Sequence, residues 1–163
     1  MDAPFWTEPR LAPREVRRHG LKPSPEDNVR SLVPLLLVSD MERSLAYYVQ
    51  QLGFTLKQRW AVEGSVRWCW LELGGAALML QGSAKRRGET PGDGVSFWFQ
   101  CKDAVAIYDD FHARGVAASE PEVGNAMWDT MLVDPDGYRL HFESATDVPE
   151  DTKLSEVRGS ASS

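Results

Sequence analysis

DPDGYRLHFES, residues 134–144, opens as a turn and closes as a strand. In its last four residues, alternation puts His141 and Glu143 on one face and Phe142 on the other, because successive strand side chains point to opposite sides. A histidine and a carboxylate sharing a strand face suit either a metal site or the wall of a pocket. What the rest of the chain brings to that face decides between them.

This strand is the last of a unit that occurs twice. The second unit starts with the strand VSFWFQC (95–101). Asp103 then caps the helix AVAIYDDFHARG, Gly115 ends it, VAASEPEV forms a weak strand, and MWDTMLV and YRLHFES close the unit around Asp136-Gly137. The first unit has the same order: VPLLLV (33–38), a helix MERSLAYYVQQLG behind Ser39 and Asp40, and three strand-like runs, FTLKQRW, SVRWCWLEL and AALMLQ. An Asp at the N-cap accepts from free first-turn amides, worth about 1 kcal/mol. Cap to terminating glycine is 13 residues in the first unit (Asp40 to Gly53) and 12 in the second (Asp103 to Gly115). Neither unit buries enough apolar surface alone. The expected fold is therefore α+β, two tandem βαβββ modules whose sheets close around a shared cleft.

The expected organisation is a loosely ordered N-terminal arm (1–31), a first module (32–82), a Gly- and charge-rich linker (83–93), a second module (94–144) and a polar C-terminal tail (145–163), disordered or draped on the surface. The arm carries an Arg-rich turn at 14–18, read as solvated surface. A formal charge of −6 argues against a nucleic-acid partner. No apolar run reaches the length of a membrane span. MDAPFWTEPR lacks the pattern of a secretory signal, and Cys69 and Cys101 lack CxxC spacing, so both are expected as reduced, buried thiols in a cytoplasmic protein.

The pattern D-x-x-x-S…YY…LGF in the first unit, with DPDGY before the final strand, resembles the vicinal oxygen chelate superfamily. That group includes glyoxalase I, extradiol dioxygenases, fosfomycin-resistance enzymes and bleomycin-resistance proteins. The resemblance spans residues 32–144. It implies that metal-dependent relatives draw ligands from the positions of Val33, Met79, Ser96 and His141. Valine has no donor, serine is a weak neutral ligand, a thioether is too soft for the ions concerned, and one imidazole does not replace three protein ligands. No metal cofactor is expected. The alternative is a divalent metal in a rearranged site using His141, Glu143 and a neighbour such as Asp129.

If those four positions face the cleft, their i+2 neighbours do as well: Leu35, Leu37, Gln81, Trp98, Gln100 and Glu143. The opposite faces are then uniformly apolar (Leu36, Val38, Leu78, Leu80, Val95, Phe97, Phe99, Leu140, Phe142), as strand faces under helices should be. Val33, Leu35, Met79, Gln81, Ser96, Trp98, Gln100, His141 and Glu143 are the candidate ligand-binding residues. An apolar wall with a few polar groups suits a small molecule, and Trp98 offers a ring to stack on. Trp60, Trp68, Trp70 and Trp128 read first as core or subunit interface, Trp128 near the rim. His112 reads as part of a solvated helix face, and Asp134 and Asp136 as turn formers.

The expected function is a metal-independent small-molecule binder of the bleomycin-resistance type, holding an aromatic or cationic ligand by sequestration, as in antibiotic resistance. By resemblance it is a homodimer. The alternative is an enzyme (a glyoxalase-type lyase, an epimerase or an extradiol dioxygenase) in which Glu143 orients His141 for proton transfer. A third possibility is a scaffold whose arm and aromatic strands make protein contacts.

Overall fold

In the computed structural model, residues 25–83 and 92–160 are described. The arm up to residue 24, with its Arg-rich turn and His19, and most of the linker (84–91) lie outside the described residues. The chain divides into a unit Met1–Leu32, whose described part holds the short helix α1 (Pro25–Asn28), and a unit Val33–Ser163 holding every other element.

The apolar run from Val33 becomes a strand only at β1 (Leu35–Val38), after Pro34, which has no amide proton to give a ladder. β1 pairs in parallel with β4 (Ala76–Gly82), and β4, β3 (Ser65–Leu73) and β2 (Thr55–Val62) continue antiparallel, giving the order β1-β4-β3-β2. A parallel pair cannot be joined by a hairpin, so the chain leaves β1 through a helix. That helix, α2, is α-helical over Met41–Leu45 and runs on as a π-helical stretch over Ala46–Gln51. Asp40 caps it by accepting from the Arg43 amide at 3.0 Å, and Gly53, at φ +83°, turns the chain out of it.

The second module repeats the plan. It comprises β5 (Ser96–Gln100), α3 (Ala104–Ala113), β6 (Glu122–Gly124), β7 (Met127–Val133) and β8 (Arg139–Ala145), in the sheet order β5-β8-β7-β6. Asp103 caps α3 through the Ala106 amide at 2.9 Å. The third strand is much shorter than VAASEPEV suggests: it starts at Glu122, after the proline at 121, and the residues before it are irregular. After β8 the chain forms α4 (Leu154–Ser160), tied down by buried Leu154 and by Arg158, which donates to both carboxylate oxygens of Asp109 at 3.0 and 2.6 Å.

The helix-covered faces of both sheets meet in one core. Leu36, Val38, Cys69, Leu71, Leu78 and Leu80 lie beneath α2; Leu132, Leu140 and Phe142 lie beneath α3 with Phe111; all are buried. Burial pushes the Cys69 thiol up to about 11, so it packs as a neutral hydrophobe. Edge-on and stacked rings join the modules, Tyr48 to Phe54 (5.5 Å), Phe54 to Phe99 (6.1 Å), Phe99 to Phe142 (4.6 Å) and Phe142 to Phe111 (5.2 Å). Trp128 belongs to this side of the sheet: it is buried with Ala104, Val123 and Leu154, not placed at a rim.

The DPDGY turn does more than reverse the chain. Asp136 is buried and accepts from the Ser39 amide (3.0 Å), the Ser39 hydroxyl (2.5 Å) and the Ser44 hydroxyl (3.3 Å), all at the start of α2. Asp134, also buried, accepts from the Tyr48 hydroxyl at 2.9 Å and from the amides of Asp136 and Tyr138. The Tyr138 hydroxyl donates to the Leu37 carbonyl (3.2 Å) and accepts from its amide (3.0 Å). Turn chemistry alone accounts for the residue types here. The cross-module hydrogen bonds are what the turn reading leaves out. Gly92 packs so tightly on this turn that a Cβ there would lie 2.1 Å from the Tyr138 nitrogen.

Burial raises the Asp134 carboxyl above its usual value, against the pull of its three hydrogen bonds. The native state then holds this proton more tightly than the unfolded chain. Its contribution to stability is therefore greatest below the ordinary carboxylate range and declines as pH rises through the raised native value. We expect Asp134→Asn, which carries no such charge, to gain on the native protein between pH about 4 and pH about 7. Urea unfolding of both proteins at the two pH values measures it; a difference that is flat, or that moves the other way, contradicts the buried-charge account.

Candidate functional site: the uncovered sheet faces

Strand register fixes what the helix-free faces carry. On the first sheet, one row across the strands is Leu35, Met79, Trp70 and Gln58, and the next is Leu37, Gln81, Trp68 and Trp60. On the second sheet the rows are Ser96, Arg139 and Val133; then Trp98, His141 and Met131; then Gln100, Glu143, Asp129 and Glu122. Leu35, Leu37 and Trp98 are 46%, 42% and 54% exposed, large for apolar side chains, whereas Leu36, Phe142 and Leu140 between them are at most 1% exposed. Val33 is half-buried and precedes β1. The geometry thus puts Leu35, Met79 and Gln81 on one sheet face and Ser96, Trp98, Gln100, His141 and Glu143 on the other.

The second sheet holds the chemically richest group. Trp98 and His141 stack with ring centroids 3.9 Å apart and planes 9° from parallel. Asp129 Oδ2 lies 2.9 Å from His141 Nδ1. Gln100 Nε2 donates to Glu143. The carboxylate that orients the imidazole is therefore Asp129, and the expected pairing of His141 with Glu143 does not form. Asp129 stands opposite Glu143 on β7 and diagonal to His141, within reach of its side chain, while Glu143 is taken by Gln100. From sequence Asp129 is only one possible neighbour, because register between strands decides it. Trp68 and Trp70, which the sequence offers first as core or subunit interface, lie on the open face, alternating with buried Cys69 and Leu71. His112 is exposed on α3, near the Tyr108 ring at 5.8 Å.

As a metal centre the arrangement does not fit. Val33 and Met79 offer no hard donor, Ser96 a weak one, and only His141 a good one. Among the described residues no group of three or more His, Cys, Asp and Glu side chains is placed to hold an ion.

Two βαβββ modules, each helix-covered on one face and open on the other, define the class: a paired-module α+β protein. Residues 31–142 match the family model of the Glyoxalase/Bleomycin resistance protein/Dioxygenase superfamily, and the chain belongs to that family. No curated protein matches it.

Solved structures share this fold at low identity. TnmS3, an antibiotic binding protein from Streptomyces sp. CB03234, aligns with a TM-score of 0.58 and 22% identity over 73% of this chain and 98% of its own. A bleomycin resistance determinant encoded on the transposon Tn5 aligns at 0.61 and 21% identity, over 74% and 100%. A bleomycin-binding protein complexed with bleomycin aligns at 0.59 and 22% identity, over 71% and 98%. None of the helices of the described residues is long and apolar enough to cross a membrane.

Proposed function

We propose that this protein sequesters a small aromatic or cationic molecule, without a metal and without altering it, on the helix-free faces of its sheets. The observation that carries the reading is the composition of those faces. Trp68 and Trp70 on the first sheet and Trp98 on the second are left uncovered by helices, Trp98 lies next to a row of Glu143, Asp129 and Glu122, and Val33, Met79 and Ser96 stand where the metal-dependent plan of the family has ligands. Rings offer stacking surface, and carboxylates attract and pair a cation. The fold shared with an antibiotic binding protein and with a bleomycin-binding protein supports an antibiotic of that kind as the ligand. The exposed Leu35, Leu37 and Trp98 support a homodimer in which a second copy helps to enclose the ligand. The cytoplasm, with its reduced thiols, suits the free Cys69 and Cys101.

Titration with metal-free bleomycin while following tryptophan fluorescence tests this. We expect saturable quenching, weakened about tenfold in Trp98→Ala, the loss of about 1.4 kcal/mol that a stacked ring and its buried area supply. Zn²⁺, Ni²⁺, Mn²⁺ or Fe²⁺ should leave the melting temperature unchanged. Stoichiometric metal that disappears in His141→Ala would overturn sequestration. It would favour the second reading, in which the His141–Asp129 contact serves proton transfer in a lyase, epimerase or dioxygenase.

A further inference from the structure

We propose that Asp129 is a positioning residue that fixes His141 with its proton on Nδ1, so that Nε2 presents a bare acceptor beside Trp98, selecting ring ligands that carry a hydroxyl or N–H at their edge. This rests on the small-molecule reading above and adds to it a rule for which ligands are admitted. A carboxylate oxygen accepts only, so at 2.9 Å from Oδ2 the neutral imidazole must put its proton on Nδ1 and its lone pair on Nε2. Trp98 stacks on the face of the imidazole, 3.9 Å away and 9° from parallel, which holds the ring plane, while the Asp129 contact selects the edge that carries Nδ1. Nε2 has no hydrogen-bond partner among the described residues.

Both side chains stay reachable, His141 at 15% and Asp129 at 28% exposure. Asp129 is also costly as a merely structural choice. Its Oδ1 is the buried side-chain polar atom without a partner among the described residues, and such an atom is uncommon in a folded protein. A packing role would be met by any small side chain under His141. Holding one tautomer needs an acceptor that cannot donate. Asparagine fills the same space but offers either an oxygen or an amide to Nδ1, so it no longer dictates which nitrogen is bare.

The test has two parts. Long-range proton–nitrogen spectra of the histidine rings, at pH about 8.5 where a free imidazole is neutral, with the His141 signals assigned by their loss in His141→Gln, need no ligand. We expect a proton on Nδ1 in the native protein and a mixture in Asp129→Asn. A proton on Nε2 in the native protein, or no change in the variant, overturns the role of Asp129. In the second part, 2-naphthol and 2-methoxynaphthalene, alike except for the donor, are titrated by tryptophan quenching. The native protein should prefer 2-naphthol at least about tenfold and Asp129→Asn by less than about threefold, while His141→Phe binds both alike. Equal native affinities overturn the selection rule. Failure of both probes to bind counts against the proposed function, and the spectra still decide the role of Asp129.

Discussion

Asp136→Ala should lower the free energy of unfolding by about 3 kcal/mol, more than is usual for a residue in a turn. The carboxylate accepts from the Ser39 amide, the Ser39 hydroxyl and the Ser44 hydroxyl, with the Arg43 guanidinium 3.6 Å away. Removing it strands the buried Ser44 hydroxyl and the half-buried Ser39 donors at the start of α2, and hydrogen bonds to a charged group are worth about 1.5–3 kcal/mol each, though not additively. In a chain of this size that corresponds to a fall of roughly 10 °C in melting temperature. Asp136→Asn keeps one acceptor oxygen and should lose about half as much. Urea and thermal unfolding read both effects. A loss below about 1 kcal/mol for the alanine variant would mean that the turn and helix are held together by packing alone.

Phe142→Ala should cost about 3–5 kcal/mol, the range for truncating a buried aromatic. Phe142 is 1% exposed, stacks on Phe99 at 4.6 Å and meets the Phe111 ring edge-on at 5.2 Å. It therefore binds the second sheet both to α3 and to the ring chain that reaches Phe54 and Tyr48 in the first module. Its strand neighbours His141 and Glu143 point the other way, so the same truncation at Trp98, which is 54% exposed, should change unfolding far less while weakening ligand binding. Comparing the two variants by urea unfolding and by bleomycin titration separates core from site. Similar stability losses for both would show that Trp98 is packed as a core residue.

The repeat, the caps and the sheet faces were legible because each rests on local chemistry. Asp40 and Asp103 are capping residues in sequence and caps in the structure, and the alternation along Leu35–Val38 and along Arg139–Ala145 separates buried from open positions without knowledge of any partner strand. Reading fails where the outcome depends on a distant segment. Nothing near Trp128 signals that Leu154 and Ala104 will cover it. Nothing near His141 says that β7 sits in the register that offers Asp129. The DPDGY aspartates look complete as turn formers, and their bonds to Ser39, Ser44 and Tyr48 span some ninety residues of chain.

Those aspartates, with the ring chain behind them, fasten the two modules through the helix-covered side. Cohesion is thereby kept to one layer of the strands, and the recognition proposed above falls to the other. On that proposal, a lineage carrying this architecture is free to retool its guest list at positions such as 35, 79 and 98 while the residues between them, at 36, 80 and 99, keep the scaffold upright.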